Sequence, residues 1–168
     1  MLKKILLALL VILIVAQFFR PAKNQSEGPQ ANHIGTKYDI PADVKPILEK
    51  ACYDCHSNNT KYPWYNNFQP VSGWLALHVK KGKKELNFDE FTNKPPRYQY
   101  RKMEEVEEMV KEGEMPLPSY TWTHKDAILT DAEKNGLYAW VRNIRSQMEA
   151  TYPKESLAKP AAAQGEKH

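Results

Sequence analysis

Two cysteines and a histidine stand within five consecutive residues, Cys52-Tyr53-Asp54-Cys55-His56, and the chain of 168 residues holds no other cysteine. Two thiols three positions apart on a helical turn can each add to a vinyl group of one porphyrin. A histidine directly after the second thiol can then bind the iron axially. The C-x-x-C-H spacing therefore predicts one covalently attached haem c, with Cys52 and Cys55 forming thioethers and His56 as the proximal iron ligand.

Two other chemistries use closely spaced cysteines. A structural zinc site could take Cys52, Cys55 and His56, but zinc ribbons and fingers need a second ligand pair, and the sequence has no second cysteine pair. A thioredoxin-like redox pair needs a β-α-β setting, and the sequence shows almost no strand-like alternation. Haem attachment is therefore the interpretation that the motif favours.

The second axial position of a haem iron needs its own ligand, and Met115 is our prediction for it. Met115 follows a predicted helix and precedes Pro116, so its loop is stiff enough to hold a thioether at the iron. The placement ahead of a C-terminal helix is similar to that in small class I cytochromes c. His78 and His124 remain alternatives, and Met115 could instead be a loop methionine that packs on aromatic rings.

The N-terminus has the pattern of a targeting segment. Lys3 and Lys4 precede an apolar run, Ile5 to Ala16, which Phe18 and Phe19 extend to Arg20. The run is short for a spanning helix, which wants about 20 residues. Because no small-residue cleavage site follows, the pattern favours an uncleaved signal anchor over about residues 4–20, with a cleaved signal peptide as the alternative. In a bacterium the remaining chain would then lie outside the cytoplasm, where haem c is attached.

The net charge of +4 does not indicate nucleic-acid binding. Residues 1–23 contribute four basic side chains and no acidic one, so the remainder is formally neutral. We therefore expect no nucleic-acid partner.

The rest of the sequence predicts an all-α protein with one domain. We divide it into a signal anchor or signal peptide over residues 1–20, a polar linker over 21–38, a helical domain over 39–148 and a disordered tail over 149–168. Helices are predicted over residues 40–52, 71–81 and 97–112, and a last helix from Thr130, which forms a capping box with Glu133.

The order of residues around and after the motif resembles the bacterial haem-binding domain family of small exported proteins. The resemblance covers about residues 38–146. It is carried by Cys52-x-x-Cys55-His56-Ser57-Asn58-x-Thr60-x-x-Pro63-Trp64-Tyr65, Pro70-Val71-Ser72-x-Trp74, His78-Val79-x-x-Gly82-x-x-x-Leu86-Asn87-Phe88 and Met115-Pro116-x-x-x-Tyr120-x-x-x-His124-x-x-Ala127-x-Leu129-Thr130. It implies a single c-type haem in a cytochrome c-like helical fold, and it implies no particular reaction.

These patterns together predict a membrane-tethered monohaem c-type cytochrome. We expect a monomer that transfers electrons outside the cytoplasm through a His/Met-ligated haem, serves redox partner proteins and catalyses no reaction itself. The alternative is a haem-based sensor or a peroxidase-like enzyme with an open or displaceable sixth ligand, in which His78 or His124 would supply acid–base chemistry.

Overall fold

The computed structural model describes residues 1–158. Within this range the secondary structure is helical, and the β-pairing consists of one isolated bridge between Asn32 and Glu90, so the predicted all-α class is confirmed. The α-helices are α1 (Leu2–Ala16), α2 (Lys45–Ala51), α3 (Tyr53–His56), α4 (Val71–Glu85), α5 (Pro96–Lys111), α6 (Pro118–Thr121), α7 (Asp131–Thr151) and α8 (Lys154–Leu157). Short 3-10 turns lie at Ile34–Thr36, Trp64–Asn67 and Lys125–Ala127.

Helix α1 covers most of the expected anchor, and it has no buried residue along its 15 positions. Its apolar side chains are exposed on every face. None of the helices described over residues 1–158 combines the length and the apolar character needed to cross a membrane.

The chain divides into two compact units, where the sequence led us to expect one domain. The first unit joins residues 1–28 to residues 54–87, and the second joins residues 29–53 to the chain from residue 88 onward. The division falls between Tyr53 and Asp54, inside the cysteine motif. Each unit is therefore described separately.

In the first unit, α4 packs against the 3-10 turn Trp64–Asn67. We predicted that this helix ends near Gly82, but it continues to Glu85, and the amide N–H of Leu86 still donates to the carbonyl of Gly82 at 2.9 Å. Gly82 is thus an interior helix residue. A glycine is required at this position because α4 lies close to the backbone of Cys55, and not because the helix ends there.

The second unit is built on the packing of α5 against α7. The predicted capping box starts α7, since the Thr130 hydroxyl accepts from the Glu133 amide at 3.2 Å and the Glu133 carboxylate accepts from the Thr130 amide at 2.9 Å. One face of α7 is buried and supplies much of the core, namely Leu137, Trp140, Val141, Ile144 and Met148.

Two segments that we predicted to lack structure contain buried residues. In the polar linker predicted over 21–38, Ile34 and Tyr38 are buried in the second unit, and the Tyr38 hydroxyl donates to Gln99 Oε1 at 2.9 Å. The disordered tail predicted over 149–168 overlaps the last turn of α7 and all of α8, whose Leu157 is buried. Residues 159–168 of that prediction lie outside the described residues.

A buried carboxylate on α5 yields a first prediction about stability. Glu107 accepts from Arg142 Nε at 2.9 Å and from Lys111, and these cations, Arg142 foremost, lower its pKa from 4.5 to about 2. Because the folded pKa lies below the unfolded one, the ionised carboxylate stabilises the fold above about pH 4.5. This stabilisation is lost as the pH falls toward 2.

We expect Glu107→Gln to lower the free energy of unfolding at neutral pH by about 1 kcal/mol, since solvent around the exposed Arg142 screens the pair. The substitution should also flatten the acid limb of stability between pH 4.5 and 2. Urea unfolding across this pH range measures both effects. Glu108→Gln, at the exposed neighbouring position, is the control. Equal losses of unfolding free energy in the two variants would contradict the stabilising role of the Glu107 ion pairs.

Candidate haem site

The two thiols of the motif lie at the junction of two short helices. Cys52 is the C-terminal cap residue of α2, and Cys55 lies on α3. Both side chains are partly buried, and no disulfide joins them. Burial, and secondarily the charge of Asp54, raises the pKa of Cys55 to about 11. Cys55 is therefore a neutral thiol at neutral pH, as is typical of a cysteine in buried surroundings.

The ring of His56 is oriented by a backbone carbonyl. His56 Nδ1 lies 2.9 Å from the carbonyl oxygen of Leu86, the residue that follows α4. A carbonyl can only accept, so Nδ1 carries the proton and donates it. The lone pair of the neutral ring then resides on Nε2, the state in which a histidine binds a metal through that atom. The acceptor is thus supplied by the residue directly after α4, 30 positions away from His56 in the sequence.

Helix α4 approaches the motif closely at Gly82. A Cβ atom built at Gly82 would lie 2.6 Å from the carbonyl oxygen of Cys55 and 3.0 Å from its Cβ, so any larger residue would clash with backbone. The end of α4 therefore contacts the motif twice, through Gly82 against Cys55 and through Leu86 against His56. These two contacts fix the position of His56 within the first unit.

The loop after the motif is closed by hydrogen bonds within the first unit. The carbonyl of Asp54 accepts from the Thr60 hydroxyl at 2.6 Å, and its carboxylate accepts from the Lys61 amide at 2.9 Å. Asn24, far away in sequence, donates through Nδ2 to the carbonyl of Ser57 and to Thr60 Oγ1, both at 2.9 Å. The polar segment after α1 thus holds the loop that follows His56.

In the second unit, Tyr53 of the motif lies beside His33. The Tyr53 hydroxyl is 3.3 Å from His33 Nε2, and the Tyr53 ring packs edge-on against Phe88 with centroids 5.5 Å apart. Burial raises the pKa of Tyr53 and lowers that of His33, although the nearby Asp89 partly offsets the latter. Sequence reasoning missed His33, since a lone histidine in a polar segment carries no signal of this contact.

The candidates for the sixth ligand belong to different units. His78 lies in the first unit with Cys55 and His56, and its Nδ1 is 2.9 Å from the carbonyl of Trp74 on the preceding turn. Met115 and His124 lie in the second unit with Cys52.

The surroundings of these two candidates differ. Met115 is partly exposed, and its amide donates to the carbonyl of Met109 at 3.1 Å, which ties the loop to the end of α5. The His124 ring stacks on Tyr120, with ring centroids 4.1 Å apart.

The described residues do not contain the cluster of ligands that a structural zinc site needs. Over residues 1–158, no group of three or more histidine, cysteine, aspartate or glutamate side chains is arranged so that it could hold a metal ion. An axial histidine needs no such cluster, because the porphyrin supplies the other ligands to the iron. The oriented His56 ring and the two thiols therefore fit a haem.

The close approach at Gly82 leads to a second prediction. We expect Gly82→Ala to lower the free energy of unfolding by about 1–3 kcal/mol, because the added methyl group overlaps the backbone of Cys55. Gly73→Ala, at an exposed position of the same helix, is the matched control and should be neutral or gain about 0.5–1 kcal/mol. Thermal unfolding of both variants measures the difference in stability. Equal stability of the two variants would show that α4 does not lie against the backbone of Cys55.

Comparison with known proteins identifies the family. A family model described as a haem-binding domain matches residues 11–143, well over half of the chain. No curated protein and no solved structure matches significantly. The matched range includes the cysteine motif, α4 and all three candidates for the sixth ligand. With a match over most of its length, the chain belongs to the haem-binding domain family.

Proposed function

We propose that this haem-binding protein carries one haem c, joined by thioether bonds to Cys52 and Cys55, with His56 as the proximal iron ligand. The hydrogen bond from His56 Nδ1 to the Leu86 carbonyl carries this proposal. It selects the tautomer whose Nε2 lone pair binds iron, and it holds the ring against rotation. When bound, the haem supplies a one-electron couple between ferric and ferrous iron.

The chain's own contribution is to position the ligands. Gly82 lets α4 approach the backbone of Cys55, and the carbonyl of Leu86 orients the ring of His56. A hydrogen bond to the second ring nitrogen also raises the basicity of a metal-bound histidine, which favours the ferric state. The residues next to the motif thus influence the reduction potential as well as the attachment.

For the sixth position we propose Met115. The loop that bears it begins at Gly113, whose φ of +75° reverses the chain after α5, and two amides of the loop, those of Glu114 and Met115, donate to the carbonyl of Met109. A loop constrained in this way can present a thioether in one orientation. Methionine ligation favours ferrous iron and raises the potential relative to ligation by two histidines.

A haem with both axial positions closed performs outer-sphere electron transfer, because no position is open for a substrate. We therefore propose that the protein is an electron carrier for redox partner proteins, with no reaction of its own. We also propose that residues 1–20 attach the chain to the bacterial inner membrane, with the haem-bearing part on the periplasmic side. The exposed apolar side chains of α1 support this placement.

Covalent attachment of haem is the first prediction of this proposal. Protein matured with haem-attachment machinery should keep its colour on a denaturing gel and gain the mass of one haem. The double variant Cys52→Ala with Cys55→Ala should lose both signals, whereas Lys61→Ala, beside the motif, should retain them. A wild-type protein without covalent haem after such maturation would overturn the assignment of haem c.

Ligation by Met115 is tested by absorption spectroscopy of the holoprotein. We expect a low-spin haem in both oxidation states, with a weak ferric sulfur-to-iron band that disappears in Met115→Ala. Met109→Ala is the control, since its side chain is partly exposed and its carbonyl, which holds the loop, is retained.

Other spectra would reassign the sixth position. A low-spin spectrum unchanged in Met115→Ala would move the ligand to His78 or His124, and substitution of each histidine would then identify it. A high-spin wild-type haem that binds carbon monoxide readily would contradict the closed site. That result would favour the sensor or peroxidase-like alternative.

A further inference from the structure

Three large aromatic side chains of the first unit are exposed within eleven residues of sequence. Trp64 is 75% exposed, Phe68 is 55% exposed and Trp74 is 44% exposed. The rings of Trp64 and Phe68 contact each other edge-on, with centroids 6.1 Å apart, and their turn packs on α4, the helix that bears Trp74. We call these three residues the aromatic face. Grouped exposed aromatic residues mark an interaction surface, because water solvates them poorly.

The aromatic face lies next to the carboxyl end of α1. Gln17 and Gln69 form a reciprocal pair, in which Gln17 Nε2 donates to the Gln69 carbonyl at 3.3 Å and Gln17 Oε1 accepts from the Gln69 amide at 3.0 Å. Gln69 Nε2 donates to the carbonyl of Phe19 at 2.6 Å, and Arg20 Nη1 donates to the carbonyl of Asn67 at 2.5 Å. Four hydrogen bonds thus join the residues that follow α1 to Asn67 and Gln69, the two neighbours of Phe68 in the sequence.

We propose that the aromatic face binds the surface of a lipid bilayer, beside the point where α1 leaves it. The inference rests on the proposed attachment of α1 to the membrane. If α1 is embedded up to about Ala16, the hydrogen bonds of the residues just after it to Asn67 and Gln69 hold Trp64 and Phe68 at the level of the lipid headgroups. Tryptophan is enriched at that depth, because its ring is apolar and its indole N–H bonds to water or headgroups.

The charges of the first unit also fit a lipid surface. The residues of this unit that follow α1 include seven lysines and arginines and only three acidic side chains. Arg20, directly after the apolar segment, can extend its guanidinium to lipid phosphates while its stem stays in the apolar layer. Basic side chains near a bilayer add attraction to anionic lipids. The same unit therefore offers apolar, aromatic and basic groups, the three that interfacial segments combine.

Photolabelling from within the bilayer tests the inference on the full-length holoprotein. The protein is reconstituted into vesicles of phosphatidylcholine and phosphatidylglycerol that contain a lipid with a diazirine on its acyl chain, then illuminated and digested with trypsin. Peptide 5–23 reports on α1, and peptide 62–80 holds the whole aromatic face. Peptide 135–142 contains Trp140, which is 2% exposed, and serves as the internal control.

We expect label on peptides 5–23 and 62–80 and none on 135–142. The double variant Trp64→Ala with Phe68→Ala should lose most of the label on 62–80 while 5–23 stays labelled. Both side chains are exposed, so this variant should keep its haem spectrum and fold.

Label on 5–23 without label on 62–80 would overturn the inference and leave membrane attachment standing. That pattern is expected if the porphyrin or a protein partner covers the aromatic face. Absence of label on both peptides would overturn the inference and the proposed membrane attachment together.

Discussion

The hydrogen bond between His56 Nδ1 and the carbonyl of Leu86 is the interaction on which the site depends. It exists only because α4 continues beyond Gly82 and delivers the Leu86 carbonyl to the ring. It also requires that α4 lie against the backbone of Cys55, which any side chain at position 82 would prevent. One backbone acceptor and the absence of a Cβ atom at position 82 thus determine the orientation of the His56 ring.

Sequence patterns predicted those parts of the molecule that local chemistry determines. The box formed by Thr130 and Glu133 correctly gave the start of α7, and the cysteine motif predicts which residues would hold a haem. The partner of His56 was beyond such reasoning, because a backbone carbonyl has no residue type by which it can be recognised. Gly82 was misleading for a related reason, since a glycine that ends a helix and one that permits close packing look alike in a sequence.

The polar segment after α1 shows a second limit of sequence reasoning. Its composition is that of a flexible linker, yet Asn24 bonds to Ser57, Thr60 and Lys83, and Ile34 is fully buried. A polar side chain with specific partners has the same composition signature as one that faces water. Only the tertiary structure distinguishes them, because the three partners of the Asn24 side chain lie more than 30 residues away along the chain.

The hydrogen bonds of the first unit connect the segment after α1 to the surroundings of His56. Asn24 lies five residues after Phe19, the end of the apolar segment. It bonds both to the loop after His56 and, through Lys83, to the last turns of α4, the helix that leads to the Leu86 carbonyl. The loop after His56 and the helix that supplies its hydrogen-bond acceptor are therefore both bonded to the segment that follows α1. If α1 is held in a bilayer, the same bonds set the orientation of the proximal ligand relative to the lipid surface. A tether that bonds to the unit in this way restricts which partners can reach the haem, whereas a flexible linker would leave its orientation free.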